Sequence, residues 1–160
     1  MATVVLTLAA LRQGVASRVA TLHTTSTPWR EAGVPYDRFG AELVPDYVPA
    51  TVAHLAYAVG VPSTPDIGDR QKPTDGALVK TALGVRFLAQ HKALASLQSA
   101  DAALDHEQDL IACLMESSSV WPGTLGVQLL LTSRAQACPP PYDWFVHTLT
   151  FQALHRLPLQ

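Results

Sequence analysis

Charged residues are scarce in this sequence. Its 160 residues include 11 Lys and Arg and 13 Asp and Glu, so 15% of the chain is charged, against roughly 25% in typical soluble domains. The net charge is −2, and there is no basic tract, RNA-recognition signature or zinc-finger spacing. Proteins that bind nucleic acid through its phosphates normally carry a basic patch. The composition argues against dedicated nucleic-acid binding and predicts exposed apolar surface that partners cover.

Cysteine and long hydrophobic runs are also scarce. Two cysteines, Cys113 and Cys138, indicate a reducing compartment rather than a disulfide-stabilised fold. The apolar run over 4–11 is too short to span a bilayer, which takes about 20 residues, and it lacks the basic start of a signal peptide. We therefore interpret this run as the buried face of a helix and expect no membrane partner.

Known catalytic motifs are absent. The sequence has no GxGxxG, GxxxxGK[ST], HExxH or GxSxG, and its six histidines are scattered over separate segments. His106 and Cys113 share a predicted helix but stand two turns apart, whereas a Cys–His nucleophile pair needs contact within about 3 Å. We predict no catalytic residue, no metal and no cofactor. A small enzyme with an unrecognised site stays open as an alternative.

Apolar periodicity predicts one domain over 1–160 with two helices and four strands. Apolar residues recur every three or four positions in the helices and at alternate positions in the strands. The helices are predicted over 3–22 and 99–117, and the strands over 51–61, 77–91, 124–134 and 143–157. This order predicts an α/β fold of the α+β type, in which two helices flank a mixed, mainly antiparallel four-stranded sheet.

The segment over 23–50 shows neither periodicity. Proline or glycine interrupts it every few residues, which predicts an extended arm. It nevertheless carries four aromatic residues, which are rare in solvated linkers: Trp29, Tyr36, Phe39 and Tyr47. We expect these side chains to anchor the arm, either on its own domain or on a neighbouring subunit, and we take them as candidate partner-interface residues.

A long hairpin loop is predicted over 62–76, between the first two strands. It is rich in proline, glycine and charges of both signs, and loops of this length are often functional. The charged residues taken as interface candidates are Asp66, Asp69, Arg70 and Lys72. They either form ion pairs between subunits or simply keep a flexible tip soluble.

Three aspartates, Asp101, Asp105 and Asp109, recur every four residues on the second predicted helix, opposite its apolar stripe. Like charges at this spacing cost a few tenths of a kcal/mol. They predict an acidic stripe that faces a basic partner surface or repels DNA from a pore wall. The alternative is an ordinary solvated face.

Several segments of the second half resemble one protein family. They are Arg86-Phe87-Leu88 at the end of a strand, Ala102-Ala103-Leu104-Asp105 on the helix, Trp121 before a leucine-rich strand, and the closing strand over 144–157 with its His155-Arg156-Leu157 ending. Together they are similar to the tail terminator and tail completion proteins of long-tailed bacteriophages, also called minor tail proteins. The resemblance covers roughly 75–160.

The resemblance implies a structural virion protein without catalytic residues. Members of this family form a ring, usually of six copies, at the head-proximal end of the tail tube, where the ring ends tube polymerisation. The implied partners are further copies of the chain, the tail tube protein and the head-completion or neck protein, and DNA passes through the lumen without specific binding. Assembly would take place in the host cytoplasm. The alternatives are a head-completion or neck connector of the same particle and a small cellular adaptor module.

Overall fold

The computed structural model describes residues 6–24, 27–39, 54–63, 66–67, 77–90, 97–116, 127–138 and 144–157. Within these residues the chain forms two helices, a six-stranded sheet and a separate two-stranded hairpin. The elements in chain order are α1 Leu8–Val19, β1 His23–Thr24, β2 Thr27–Pro28, β3 Arg30–Glu31, β4 Ala56–Gly60, β5 Asp66–Ile67, β6 Ala77–Gln90, α2 Leu97–Met115, β7 Leu129–Ala137 and β8 Trp144–Leu157.

The sheet is mixed, and its strand order is β3-β4-β6-β8-β7, with β5 also paired to β6. The antiparallel ladder of β6 and β8 runs without interruption from Ala77 opposite Leu157 to Gln90 opposite Trp144. Strand β3 pairs parallel with β4, and the other ladders of this sheet are antiparallel. The predicted α+β class is confirmed, while the predicted count of four strands omitted β3 and β5.

Both helices pack on one face of the sheet, here called the front face. Side chains alternate along a strand, so β6 and β8 turn every second residue into this core. Leu83 lies opposite Phe151 and Val85 opposite Leu149 in the register, and all four are fully buried. Helix α1 adds Leu11, Val15 and Val19, and α2 adds Ala103, Leu110 and Leu114.

Local signals set the ends of the helices. The Thr7 side chain accepts a hydrogen bond from the Ala10 amide at 3.0 Å, which is an N-cap for α1. The helix ends at Val19, earlier than the predicted residue 22. Helix α2 begins at Leu97, two residues before the predicted Ser99 cap. No helix in the described ranges is long and apolar enough to cross a membrane.

The predicted arm over 23–50 contributes strands after all. The β1–β2 hairpin is antiparallel, and Arg30 and Glu31 of β3 pair with Ala56 and Tyr57 of β4. Proline prevents a long helix or strand here, but it permits short pairings at a sheet edge, where fewer amide donors are needed. The predicted extended arm over 23–50 thus includes three short strands that the sequence pattern did not indicate.

Strand boundaries also differ from the sequence prediction, since β4 begins at Ala56 and β7 at Leu129, later than the predicted residues 51 and 124. Inside the predicted 62–76 loop, Asp66 and Ile67 pair with Lys80 and Val79. Part of the predicted loop is therefore a short strand on the edge of β6. Strand β7 continues to Ala137 rather than ending at residue 134, and it stops short of the proline run over 139–141. Proline lacks the amide hydrogen that an antiparallel ladder needs, which explains why the strand ends there.

Candidate assembly interface

Trp29 lies in the core, although the sequence made it an interface candidate. Its indole packs on Phe87 with ring centroids 4.9 Å apart and lies 6.5 Å from the ring of Tyr57. The ring of His106, on α2, meets the indole edge-on at 6.5 Å. Only 2% of Trp29 is exposed, so this side chain joins the end of the β1–β2 hairpin to both the sheet and α2.

Tyr36 and Phe39 cover part of the opposite face of the sheet, here called the back face. They follow Pro35 in a tight turn, in which the Phe39 amide donates to the Pro35 carbonyl at 3.1 Å. Arg86 fixes the turn, because its Nη1 donates to the Tyr36 carbonyl at 2.8 Å and its guanidinium carbon lies 4.2 Å from the Tyr36 ring centre. Burial raises the pKa of the Tyr36 phenol, and Arg86 offsets part of that shift.

The interface residues predicted from the sequence divide into those outside the described ranges and those that the structure places within the domain. Those outside the described part of the chain are Tyr47, Asp69, Arg70 and Lys72. The backbone of Asp66 pairs opposite Lys80. Trp29, Tyr36 and Phe39 are buried against their own domain, which is one of the two alternatives that the arm left open. A role for any of these residues in a partner interface stays a prediction.

The acidic stripe lies on the outer face of α2. Asp101, Asp105 and Asp109 are exposed, and none of them forms an ion pair with another described residue. Helix α2 contains no lysine or arginine to balance them. Next to the aspartates runs a row of exposed apolar side chains, spaced as one helical stripe: Leu97, Leu104 and Met115, which are 79%, 40% and 37% exposed.

The other half of the back face is open to solvent. Leu130 of β7 and Leu154 of β8 are 55% and 49% exposed. They are diagonal neighbours across the ladder, because Leu130 lies opposite Gln152. Lys80 pairs opposite Leu154 on the same face and is also exposed. Together with Ala82 and Arg156, these residues form a surface that we call the open back face.

Strand β7 is an edge strand. It pairs with β8 on one side, and no described strand pairs with its other side. Residues 132–137 are exposed, and the strand contains no proline or lysine, which commonly protect such edges. Its register shifts between Leu131 and Ser133, which marks a bulge. The six consecutive exposed residues of this edge favour association with another chain, while its bulge and the charge of Arg134 oppose it.

A buried ion pair joins α2 to this edge strand. The Glu107 carboxylate accepts hydrogen bonds from Arg134 Nε at 3.0 and 3.1 Å and from Arg134 Nη2 at 2.6 Å. The Glu107 side chain is 5% exposed and that of Arg134 47%. Sequence reasoning missed this pair, although an acid between Ala103 and Leu110 on the apolar side of α2 was the available signal.

His147 lies next to Glu107 of this ion pair. Its ring stacks on that of Phe87, with ring centroids 4.4 Å apart. Its Nδ1 lies 3.5 Å from Glu107 Oε1, longer than an ordinary hydrogen bond of about 2.7–3.2 Å. Burial lowers the pKa of His147, and the nearby Glu107 charge offsets part of the shift. Within the described residues, no three His, Cys, Asp or Glu side chains are arranged to hold a metal ion.

The two chemically reactive side chains of α2 point to different neighbours. The His106 ring meets the His54 ring edge-on at 5.4 Å, whereas the Cys113 thiol lies 3.8 Å from the Arg18 carbonyl oxygen. Burial raises the pKa of Cys113, which disfavours the nucleophilic thiolate. Cys113 therefore contributes to packing between α2 and α1.

Comparison with known proteins finds a distant likeness in fold. The sequence matches no protein-family model and no curated protein. Among seven chains of solved structures that resemble the fold is one described as "Virion of native gene transfer agent (GTA) particle". It is 16% identical, has a TM-score of 0.47, and the match covers 89% of this chain and 84% of that one. At this level the likeness says nothing of what the chain does.

Proposed function

We propose that the protein is a structural virion component that assembles into a ring and caps the head-proximal end of a phage tail tube. The ring ends tube polymerisation and presents a docking surface to the neck. Tail tube protein, neck protein and further copies of the chain are its partners, and DNA crosses the ring without specific binding. No step of this function requires a catalytic residue or a cofactor.

The exposed edge strand β7 is the observation that carries this proposal. On the side away from β8, its backbone over 132–137 pairs with no strand of the described ranges and offers a template for other chains. A protein that stayed alone would need to protect this edge, whereas a subunit of an assembly has it covered by its neighbour. The family resemblance over 75–160 includes the closing strand β8, which pairs with β7 and holds it in place.

The charge pattern agrees with a ring through which DNA passes without being bound. The chain has 11 basic and 13 acidic residues and a net charge of −2, so it offers no excess of positive charge to hold phosphate. A subunit that neutralised phosphates would slow the DNA during its exit, because each contact adds a salt-dependent attraction.

Two measurements test the proposal. Sedimentation and negative-stain microscopy of the purified chain should show rings at high concentration. Added to polymerising tube protein from the same particle, the chain should shorten the tubes and appear at one end of each. A chain that stays monomeric at high concentration and leaves tube length unchanged would overturn the proposal.

The same experiments separate the neck connector from the terminator. A connector also forms a ring, but it would bind the head and leave the length of the polymerising tube unaffected. Labelled rings found only on heads would therefore favour the connector.

A further inference from the structure

All five large exposed hydrophobic side chains of the described residues lie on two surfaces. Three are on the outer face of α2, and two are on the open back face: Leu97, Leu104, Met115, Leu130 and Leu154. Scattered exposed hydrophobics are common on any protein. Their restriction to two surfaces indicates that each surface is covered in the assembled state.

These two surfaces carry opposite charges. The outer face of α2 exposes Asp101, Asp105 and Asp109 and no cation. The back-face positions of β6, β7 and β8 include cations but no acidic residue, namely Lys80, Arg86 and Arg156. Arg86 is engaged with Tyr36, while Lys80 stands beside Leu154 on the open part. Lys80 also lies opposite Asp66 of β5 in the register, so the open back face carries Lys80 and Arg156 against this one acidic position, whereas the outer face of α2 carries acidic charge alone.

The two surfaces also lie on opposite sides of the domain. Helix α2 packs on the front face of the sheet through Ala103, Leu110 and Leu114, so its acidic face points away from the sheet. The open back face points the other way, because the neighbours of Leu130 and Leu154 in sequence, Leu129 and Ala153, are buried in the front core. One copy cannot bring these surfaces together, but two copies can.

We propose that α2 of one copy docks on the open back face of a second copy. Leu104 would pack against Leu130 and Leu154, and the aspartates would face Lys80 and its neighbours. This inference deepens the proposed function, on which it rests, by naming the contact between subunits. The docked helix reaches β7 through Leu130 and so shields the exposed edge, one of the ways in which proteins protect edge strands.

Such a contact is heterologous, since it joins two different surfaces. After each addition the growing chain of subunits keeps one free surface of each kind, one at each end, so it grows until the rotation between copies closes it into a ring. An isologous dimer, in which the same surface meets itself, would bring the aspartates of two α2 helices together and is disfavoured by their repulsion.

A charge-swap experiment tests the contact. The first variant carries Asp101→Lys and Asp105→Lys, and the second carries Lys80→Glu and Gln152→Glu. Each alone should weaken self-association at low salt by about tenfold or more, because attraction between the two surfaces becomes repulsion. An equimolar mixture should recover assembly, since the altered helix of the first variant matches the altered sheet of the second. Sedimentation velocity measures all of these states.

Asp37→Lys and Arg38→Glu serve as charge-matched controls, because both residues are exposed but belong to neither surface. Circular dichroism establishes that each variant is folded. If wild-type protein assembles and either charge-swapped variant assembles equally well, the docking contact is wrong while ring formation stands. Failure of the mixture to recover assembly also overturns the contact. A wild-type chain that never self-associates overturns both the contact and the proposed ring.

Discussion

The ring of Tyr36 lies across Gly84, and a Cβ added to this glycine would overlap the Tyr36 phenol. Gly60 is the register partner of Gly84 in the β4–β6 ladder, and a Cβ there would overlap the other end of the same side chain. The paired glycines thus form a slot in the back face that one tyrosine fills. This contact holds the predicted arm segment on its own sheet.

The slot predicts that Gly84→Ala destabilises the protein by about 1–3 kcal/mol, because the added methyl group displaces a packed ring. In a Tyr36→Ala background the same change should cost much less, since the ring is gone. Urea unfolding of the four proteins measures this coupling. Equal costs of Gly84→Ala in both backgrounds would show that the tyrosine does not occupy the slot.

Burial of Trp29 predicts a stability effect that is independent of assembly. Replacing Trp29 with alanine should cost about 3–5 kcal/mol, because a large side chain is removed from the contact with Phe87 and Tyr57. Trp29→Phe should retain most of the stability. Denaturant unfolding at a concentration where the chain is monomeric checks both. A Trp29→Ala variant as stable as wild type but deficient in assembly would instead support the interface role.

Much of the sheet could be predicted from sequence because every second residue of β6 and β8 is apolar or buried in the front core, from Val79 to Ala89 and from Phe145 to His155. The long α2 was predictable for a similar reason, since its apolar stripe recurs with helical spacing. The two-residue strands β3 and β5 were not, because so few residues carry no periodicity. Their pairing depends on β4 and β6 being already in place, and this is a tertiary effect that local pattern does not contain.

The candidate surfaces were predictable only in part. Four-residue spacing placed Asp101, Asp105 and Asp109 on one exposed face. The sequence did not show the basic surface that complements them, since Lys80 and Arg156 come together only through the β6–β8 ladder. Tyr36 was taken as an interface anchor because aromatic residues in a proline-rich segment do not show which surface they contact. Two strand glycines at matching register were the signal for its slot.

Two buried histidines, His147 and His155, and the partly buried His106 predict that the protein loses stability in mild acid. Burial lowers the pKa of His106, His147 and His155 from the ordinary value of 6.5. Below about pH 6.5 the unfolded chain therefore takes up protons that the folded chain does not, and the free energy of unfolding falls. Above about pH 7 the histidine contribution is constant. Each group adds a slope of at most about 1.4 kcal/mol per pH unit.

His147→Phe should reduce this pH dependence. Phenylalanine preserves the stacking on Phe87 but cannot take up a proton, so the unfolding free energy should fall less steeply between pH 6.5 and 5. Urea unfolding across this pH range for the variant and the wild type provides the comparison. An unchanged slope would show that His147 takes up its proton equally well in the folded and unfolded states.

The ion pair between Glu107 and Arg134 should be strongly coupled. Arg134→Met leaves a carboxylate that is 5% exposed without its partner, which should cost about 2–3 kcal/mol, below the range for a fully buried pair because Arg134 is half exposed. Glu107→Gln removes the charge, so adding Arg134→Met to it should cost little more. A double-mutant cycle by urea unfolding should give a coupling energy above about 1 kcal/mol.

The pair of Arg12 and Glu31 offers a matched control, since its side chains are 35% and 45% exposed and 2.9 Å apart. The same cycle with Arg12→Met and Glu31→Gln should give no more than about 0.2–1 kcal/mol, as expected for a solvent-screened pair. A coupling at Glu107 no larger than this control would mean that solvent reaches the carboxylate. In that case α2 would be held on the sheet by its apolar contacts alone, and the position of its acidic face would not depend on Arg134.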